Sequence, residues 1–238
     1  MTCCMNEQDE GRLYVVSTPI GNLGDITRRA LEILQRVDLI AAEDTRRTRI
    51  LLNHYSIETR LTSYNSYNKM ARGRDILRQL SEGRQVALVS DAGTPGVSDP
   101  LFHLLKDALE AGIGVEAAPG PSALLSALVV SGLPCDRFFF EGFLPRKKGR
   151  KTRLQWLADL QCTVVLFESP QRLGRTLEDI RTVFGNRRAV IAREMTKLHE
   201  ETLRGPLEEL IAGHAGRKWK GEITLIISGH VIEEGETL

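Results

Sequence analysis

Short apolar runs alternate along this chain with segments whose apolar residues recur every three or four positions. The runs are typical of buried strands, and the periodic segments are typical of amphipathic helices. In the first half, the predicted strands are 13–17, 38–42, 86–89 and 115–118. The predicted helices are 69–82, 100–111, 121–131 and an earlier one whose apolar face holds Ile26, Ala30, Leu31, Leu34 and Val37. This alternation predicts a mostly parallel sheet covered by helices.

The alternation continues beyond Leu133 and Pro134, where the local composition changes. In this half the predicted strands are 138–141, 163–167, 189–193 and 222–228, and the predicted helices are 151–159, 170–184 and 206–213. We therefore expect two domains, residues 12–134 and 135–238, preceded by a disordered tail at 1–11.

Composition narrows the class of protein. Among the 238 residues, 42% are hydrophobic and 26% are charged, as in ordinary globular proteins. No apolar run approaches the roughly 20 residues that cross a bilayer, and the first ten residues lack the apolar core of a signal peptide. The cysteines have no metal-ligand spacing; they are Cys3, Cys4, Cys135 and Cys162. We expect a cytoplasmic protein with reduced thiols, no metal and no membrane partner.

Positive charge is concentrated although the net charge is only +1. Residues 146–153, RKKGRKTR, which we call the basic segment, hold six basic side chains in eight positions. Arg46, Arg47 and Arg49 form a smaller group. Such clusters favour an anionic partner, and a solvated mobile loop is the alternative.

Two tight loops follow neighbouring predicted strands. SDAGTP at 90–95 begins with Asp91 at the strand end, and PGPSA at 119–123 brings Ser122 to a helix start. Two glycine- and proline-rich loops at adjacent strand ends predict one shared ligand pocket. The loop at 17–25 lacks both GxGxxG and a P-loop lysine, which disfavours nicotinamide and NTPase sites. There a helix cap by Asp25 or Thr27 is also expected.

Carboxylates at strand ends are the candidate acid–base groups. Glu43 and Asp44 follow the second strand, and Glu168 follows the strand at 163–167. For Glu43 and Asp44 the alternative is a solvated helix start with its own salt bridges. His199 is expected to be a surface histidine. No Ser/His/Asp order, HExxH or CxxC occurs, so hydrolase and zinc chemistry have no support.

Seven motifs in order resemble the tetrapyrrole-methylase superfamily, and within it the branch that methylates the ribose of a cytidine in 16S ribosomal RNA. They are LYVVSTPIGNLGDIT, AAEDTR, VSDAGTPGVSDP, APGPSA, FESPQR, REMTKLHEE and KGEITLII, and they span residues 12–228. Two features depart from the family pattern. Gln171 stands where histidine or tyrosine is common, and the tail with Cys3 and Cys4 is additional.

The resemblance implies two α/β domains, with a mostly parallel sheet in the first, a mixed sheet in the second and S-adenosylmethionine held in the cleft between them. It also implies a homodimer that acts on the assembled small ribosomal subunit, at a cytidine near the decoding centre. Carried over by position, the cofactor contacts are Ile20, Gly21, Asp91, Ala92, Thr94, Ser122, Ala123, Phe167 and Thr224.

For this chemistry, positioning is the main task because the methyl donor is already activated. A ribose hydroxyl is a weak nucleophile, so a general base could assist, and the choice among Glu43, Asp44 and Glu168 stays open. Phosphate contacts are expected from Arg46, Arg47, Arg146, Lys147, Lys148, Arg150 and Lys151. The alternatives are a tetrapyrrole C-methyltransferase, since a porphyrinoid with many carboxylates also favours arginine, and a non-catalytic ribosome-assembly module.

Overall fold

Two five-stranded sheets carry the fold in the computed structural model, which describes residues 10–97 and 102–230. Each sheet belongs to one of two units, and the chain passes from the first to the second between Ser122 and Ala123.

The first sheet is entirely parallel in the order β3-β2-β4-β1-β5. Its strands are β1 (Arg12–Val16), β2 (Leu39–Ala42), β3 (Leu61–Ser63), β4 (Gln85–Val89) and β5 (Gly114–Ala118). The helices of this unit are α1 (Arg28–Arg36), α2 (Thr45–His54), α3 (Lys69–Ser81) and α4 (Phe102–Glu110), with a short 3-10 helix at Leu23–Asp25. This is the parallel sheet that the strand–helix alternation predicts.

Helices cover both faces of this sheet, which explains why its central strands are mostly apolar. On one face, Val16, Ala42 and Val89 pack against residues of α1 and α2 such as Leu34 and Leu52. On the other face, the strand residues pack against α3 and α4; this second core includes Leu13, Leu39, Leu88, Ile76, Leu80 and Leu104. Alternate residues of each strand thus enter opposite cores.

Local capping fixes where two of the helices begin. Thr27 is the N-cap of α1 and accepts a hydrogen bond from the Ala30 N–H at 3.2 Å, one of the two caps that the sequence offered. Asp25 lies in the 3-10 helix instead. Asp44 is the N-cap of α2 and accepts from the Arg46 N–H at 2.9 Å.

The second sheet is mixed, in the order β6-β7-β10-β8-β9. β6 and β7 are parallel and the remaining neighbours are antiparallel. Its strands are β6 (Phe138–Phe143), β7 (Thr163–Glu168), β8 (Arg188–Arg193), β9 (Glu201–Pro206) and β10 (Ile223–Ile227). Its helices are α5 (Ala123–Val129), α6 (Arg150–Ala158), α7 (Leu173–Phe184) and α8 (Leu207–Gly213).

The sequence missed three elements for identifiable reasons. α2 begins with a polar, arginine-rich turn, β3 has three residues, and β9 is a polar edge strand, so none shows a clear apolar period. The helix predicted over 121–131 is shorter in the structure, where α5 runs from Ala123 to Val129. This helix packs against β10 of the second unit, although the predicted boundary at 134/135 assigns it to the first domain.

Some predictions lie outside the described residues. They are the first-turn position of Pro100 in the helix expected at 100–111, and the tail with Cys3 and Cys4.

Candidate functional site

Four loops leave the same edge of the first sheet. They follow β1 (17–25), β2 (43–44), β4 (90–96) and β5 (119–122). Because these strands are parallel, their carboxyl ends lie together, where ligands bind in open α/β sheets. The sequence predicted a shared pocket from two of these loops, those after β4 and β5. In the structure the loops after β1 and β2 lie at the same edge of the sheet.

Backbone hydrogen bonds join the β1 loop to the β4 loop. Thr18 and Gly93 exchange two N–H···O=C bonds of 2.9 Å each, as a single antiparallel bridge. The Thr18 hydroxyl also donates to the Ser90 carbonyl at 3.3 Å, and the hydroxyls of Ser17 and Thr94 are hydrogen-bonded at 3.0 Å. These bonds satisfy polar groups that are buried, so the two loops form one body.

The β5 loop packs against the same body. The Ser17 N–H donates to the Ala118 carbonyl at 3.1 Å, and the Thr94 hydroxyl donates to the Pro121 carbonyl at 3.4 Å. A Cβ on Gly120 would lie 2.9 Å from the Ser17 Cβ. Gly93 has a φ of +78°, and a Cβ there would lie 3.3 Å from Cγ2 of Ile20. The glycines therefore let the loops approach one another.

Asp91 connects this body to the loop after β2. Its Oδ1 accepts from the Asp44 N–H at 2.9 Å, and its Oδ2 lies 3.5 Å from a guanidinium nitrogen of Arg47. The side chain is 27% exposed, so the carboxylate is anchored yet reachable. It borders a cavity of about 130 Å³ whose wall is formed by Thr18, Pro19, Leu23, Arg47, Thr48, Ile50, Leu51, Ser90 and Asp91.

Asp44 is held in its ionised form. Its side chain accepts from Nε of Arg46 at 3.0 Å and lies 2.7 Å from a terminal guanidinium nitrogen. These bonds, together with that from the Arg46 N–H, lower the pKa of Asp44 to about 2. A carboxylate of that pKa is a weak base at neutral pH. Glu43, the preceding residue, is half-buried.

Glu168, the candidate base in the second unit, is enclosed by donors. Its side chain is 1% exposed. Oε1 accepts from the Ser169 N–H and from Nε of Arg172, both at 2.7 Å, and Oε2 accepts from the Thr176 hydroxyl at 2.6 Å. Both oxygens therefore bind groups at the start of α7, and the carboxylate is part of the interior of the unit.

The basic segment divides into exposed and buried residues. The exposed ones are Arg146, Lys147, Lys148 and Lys151. Arg150 is only 7% exposed and donates to Asp179 and Thr176, both at 2.8 Å. Arg153 pairs with Glu141 and lies 4.2 Å over the Trp156 ring. Arg150 thus has interior partners in place of the expected RNA contact, whereas Arg46 and Arg47 in the first unit are exposed.

The remaining predicted cofactor residues occupy several settings. Phe167 and Thr224 are direct partners across the antiparallel β7/β10 pair, and Phe167 packs edge-on to Phe140 with the ring centroids 5.0 Å apart. Ile20 is buried and Gly21 and Ala92 are exposed. Ser122 and Ala123 are half-buried where the chain leaves the first unit.

Three hydroxyl residues of the site were missed by sequence reasoning: Ser17, Thr18 and Ser90. Each is buried at or just beyond the end of β1 or β4. That position is the same feature that identified Asp91, and it could have identified them.

Within residues 10–97 and 102–230, no group of three or more His, Cys, Asp and Glu side chains could hold a metal ion. In that same part of the chain, every helix is too short or too polar to cross a bilayer.

Comparison with known proteins adds to this geometry. A profile of the family described as Tetrapyrrole (Corrin/Porphyrin) Methylases matches residues 12–211. A Thermotoga maritima protein named Ribosomal RNA small subunit methyltransferase I is 52% identical over 219 residues, which are 92% of this chain and 99% of that protein. An Escherichia coli O157:H7 protein of the same name is 48% identical over 96% of this chain and 81% of its own length.

Solved structures agree on the fold. The uroporphyrin-III C-methyl transferase of Thermus thermophilus, complexed with S-adenyl homocysteine, has a TM-score of 0.66 at 19% identity. The similarity covers 92% of this chain and 97% of that one. At this identity the likeness shows a common fold and nothing about the substrate.

The close approach of Gly120 to Ser17 predicts the effect of one added methyl group. Gly120→Ala should lower the free energy of unfolding of the first unit by about 1–3 kcal/mol, because the added Cβ forces the β1 and β5 loops apart. Hydrogen exchange of the β1 and β5 amides in increasing urea measures this locally. Gly174→Ala in α7 is the control, since a Cβ there meets nothing within 4 Å. Equal stability of the Gly120→Ala and wild-type proteins would contradict the prediction.

Proposed function

The chain belongs to the tetrapyrrole methylase family, and we propose that it methylates a ribose 2′-hydroxyl of 16S ribosomal RNA with S-adenosylmethionine as methyl donor. One observation carries the proposal: relatives that are 52% and 48% identical to nearly the whole chain share a name. That name states ribosomal RNA of the small subunit as the substrate of those relatives. We further propose a cytidine near the decoding centre as target, the assembled small subunit as substrate form, and a cytoplasmic homodimer as the acting species.

The residues at the edge of the first sheet fit part of such a cofactor. The cavity wall combines the apolar Pro19, Leu23 and Leu51 with hydroxyls and the Asp91 carboxylate. An amphipathic wall of this kind suits a ligand with a ring and several polar groups. At about 130 Å³ the cavity is small beside the roughly 300–1,000 Å³ of pockets that enclose a drug-sized ligand, so it would receive one portion of the molecule.

S-adenosylmethionine supplies, when bound, a methyl group on a positively charged sulfur. The residues proposed to hold it in the first unit are Ile20, Gly21, Asp91, Ala92, Thr94 and Ser122. The cofactor contacts expected of Ala123, Phe167 and Thr224 stay a prediction. Asp91 contributes a negative charge that its contacts with Asp44 and Arg47 fix in place. Such a preset charge favours a cationic ligand without reorganisation.

Positioning is proposed as the main catalytic contribution of this chain. The loops after β1, β4 and β5 are held to one another by their own hydrogen bonds, which lowers the entropic cost of ordering the site. As a proton acceptor, Asp44 is disfavoured by its pKa of about 2, and Glu168 by its donors. The role of Glu43 stays a prediction.

For the RNA, we propose phosphate contacts from Arg146, Lys147, Lys148 and Lys151, together with Arg46 and Arg47. All six side chains belong to exposed residues. Basic side chains of this kind position an RNA without reading its sequence. Recognition of a folded ribosomal context would then depend on the shape of the RNA.

Mapping of 2′-O-methylation tests the function directly. Small subunits incubated with the protein and S-adenosylmethionine should gain one ribose methyl group in 16S RNA, read by mass spectrometry of nuclease fragments. Methyl transfer to a tetrapyrrole with no labelling of RNA would favour the C-methyltransferase alternative. Tight binding to the subunit with an unmodified ribose would favour the assembly module.

Loss of the Asp91 charge should weaken cofactor binding. Asp91→Asn is expected to raise the Kd for S-adenosylmethionine about tenfold or more, since charge-assisted contacts are lost. Isothermal calorimetry measures the Kd. Asp75→Asn on α3 is the matched control, because its 3.8 Å pair with Arg72 lies on an exposed helix surface. An unchanged Kd in Asp91→Asn would remove Asp91 from the proposed site.

Charge reversal in the basic segment should separate RNA binding from cofactor binding. Lys147→Glu/Lys148→Glu is expected to raise KM for small subunits about tenfold or more at moderate salt, with the Kd for S-adenosylmethionine unchanged. Lys106→Glu/Lys218→Glu carries the same change of net charge at two scattered positions and should leave KM near the wild-type value. Unaltered methylation kinetics in the first variant, or a parallel loss of cofactor affinity, would contradict the proposed RNA surface.

A further inference from the structure

Two motifs that look independent in the sequence, FESPQR and the basic segment, meet in one buried network of the second unit. We propose that Arg150, Thr176 and Glu168 are positioning residues that hold the basic loop, residues 144–149 between β6 and α6, in the conformation that meets RNA. The inference rests on the proposed function for the identity of the ligand. It gives Glu168 and Arg150 a joint role that differs from the base and the phosphate contact expected from sequence.

The network runs through a single hydroxyl. Thr176, which is 1% exposed, donates from Oγ1 to Oε2 of Glu168 at 2.6 Å. Oγ1 of Thr176 also accepts a hydrogen bond from a terminal nitrogen of Arg150 at 2.8 Å. Nε of Arg150 donates to Asp179 at 2.8 Å, and Nε of Arg172 donates to Glu168 at 2.7 Å. A hydroxyl that donates once and accepts once fixes the direction of every bond around it.

The network also holds the ends of the basic loop. A terminal nitrogen of Arg150 donates to the Pro145 carbonyl at 3.3 Å, and Arg172 donates to the Leu144 carbonyl at 3.5 Å. At the C-terminal end of the loop, the Arg150 N–H closes a local turn by donating to the Lys147 carbonyl at 3.3 Å. Between these points the chain turns at Gly149, whose φ is +79°. Before the three basic residues, the Leu144 and Pro145 carbonyls are therefore bonded to Arg172 and Arg150. After them, the Arg150 side chain joins the chain to Thr176 and Asp179 of α7.

Charge balance separates the buried cations from the exposed ones. Arg150 and Arg172 face the carboxylates of Glu168 and Asp179, and the exposed Arg175 lies 3.9 Å from Asp179. The exposed Arg146, Lys147 and Lys148 stand outside this network, at the tip of the loop. Buried ion pairs contribute little net stability compared with apolar packing, and their recognised use is to specify one arrangement. Here the ion pairs would specify one conformation of the basic loop, whose backbone they contact.

Holding the loop beforehand lowers the entropy lost when RNA orders it. A defect in the network should therefore appear in substrate binding and leave the chemical step intact. This separates positioning from a general loss of folded protein, which would reduce kcat through the active fraction.

Thr176→Val removes the hydroxyl while keeping the shape of the side chain. We expect KM for small subunits to rise about fivefold to tenfold with kcat and the Kd for S-adenosylmethionine unchanged, because two buried polar groups lose their shared partner. Thr176→Ser retains the hydroxyl and should restore the wild-type KM. In an Arg146→Ala/Lys147→Ala/Lys148→Ala background, Thr176→Val should cause no further rise, since it acts through those three side chains. Independent, additive effects in that background would overturn the proposal.

A second measurement does not depend on activity. Trypsin cleaves after Arg146, Lys147 and Lys148, and brief digestion followed by mass spectrometry should show cleavage there at least about fivefold faster in Thr176→Val than in wild type or Thr176→Ser. Equal cleavage would overturn the loop-holding role even where RNA methylation is normal. Failure of the wild-type protein to methylate ribosomal RNA would instead overturn the proposed function, whatever the cleavage rates.

Asp179→Asn tests the same network if Thr176→Val does not fold. It removes the charge partner of Arg150 at a position that is less buried. Glu178→Gln, the neighbouring exposed residue on α7, carries an identical change of charge and is the control. Faster loop cleavage and a higher KM are expected only for Asp179→Asn, and their absence counts against the proposal.

Discussion

The paired backbone bonds between Thr18 and Gly93 are the contact on which the candidate site depends. They tie the loop after β1 to the loop after β4, although those loops are far apart in the chain. With the Ser17–Thr94 hydroxyl contact they convert two flexible connections into one surface. The loop after β5 then packs on that surface, where Gly120 has no room for a side chain. Asp91 owes its fixed orientation to this assembly, since its own loop is anchored there.

The two units use carboxylates in opposite ways. In the first, Asp91 is partly exposed beside a cavity, so its carboxylate is reachable by a ligand although Arg47 lies 3.5 Å away. In the second, Glu168 is enclosed by Ser169, Arg172 and Thr176, and its carboxylate oxygens accept hydrogen bonds from these residues inside the unit. Glu168 ends an apolar strand and Asp91 lies just beyond another, so their positions in the sequence are similar. Their surroundings decide which of the two contacts a ligand.

Basic residues likewise divide into exposed ones and ones that pack into the interior. Six lie within the eight positions of the basic segment, yet Arg150 enters the interior and Arg153 packs on Trp156. The others remain exposed. Helical periodicity explains the burial of Arg150, because it begins α6 on the same face as the buried Leu154 and Leu157. Charge density along a sequence thus overstates the charge that a surface presents.

The order of the amino acids alone predicts the strand–helix alternation, the parallel first sheet and the loops at its carboxyl edge, because apolar periodicity and glycine or proline punctuation are local properties. It also determined the family, since several ordered motifs span the chain. The fold was needed to identify the partners of Glu168 and Arg150, the packing of α5 against β10 in the second unit, and the hydroxyls that join the site loops. Those outcomes depend on contacts between residues distant in the chain, and such contacts leave no periodic pattern for a sequence to display.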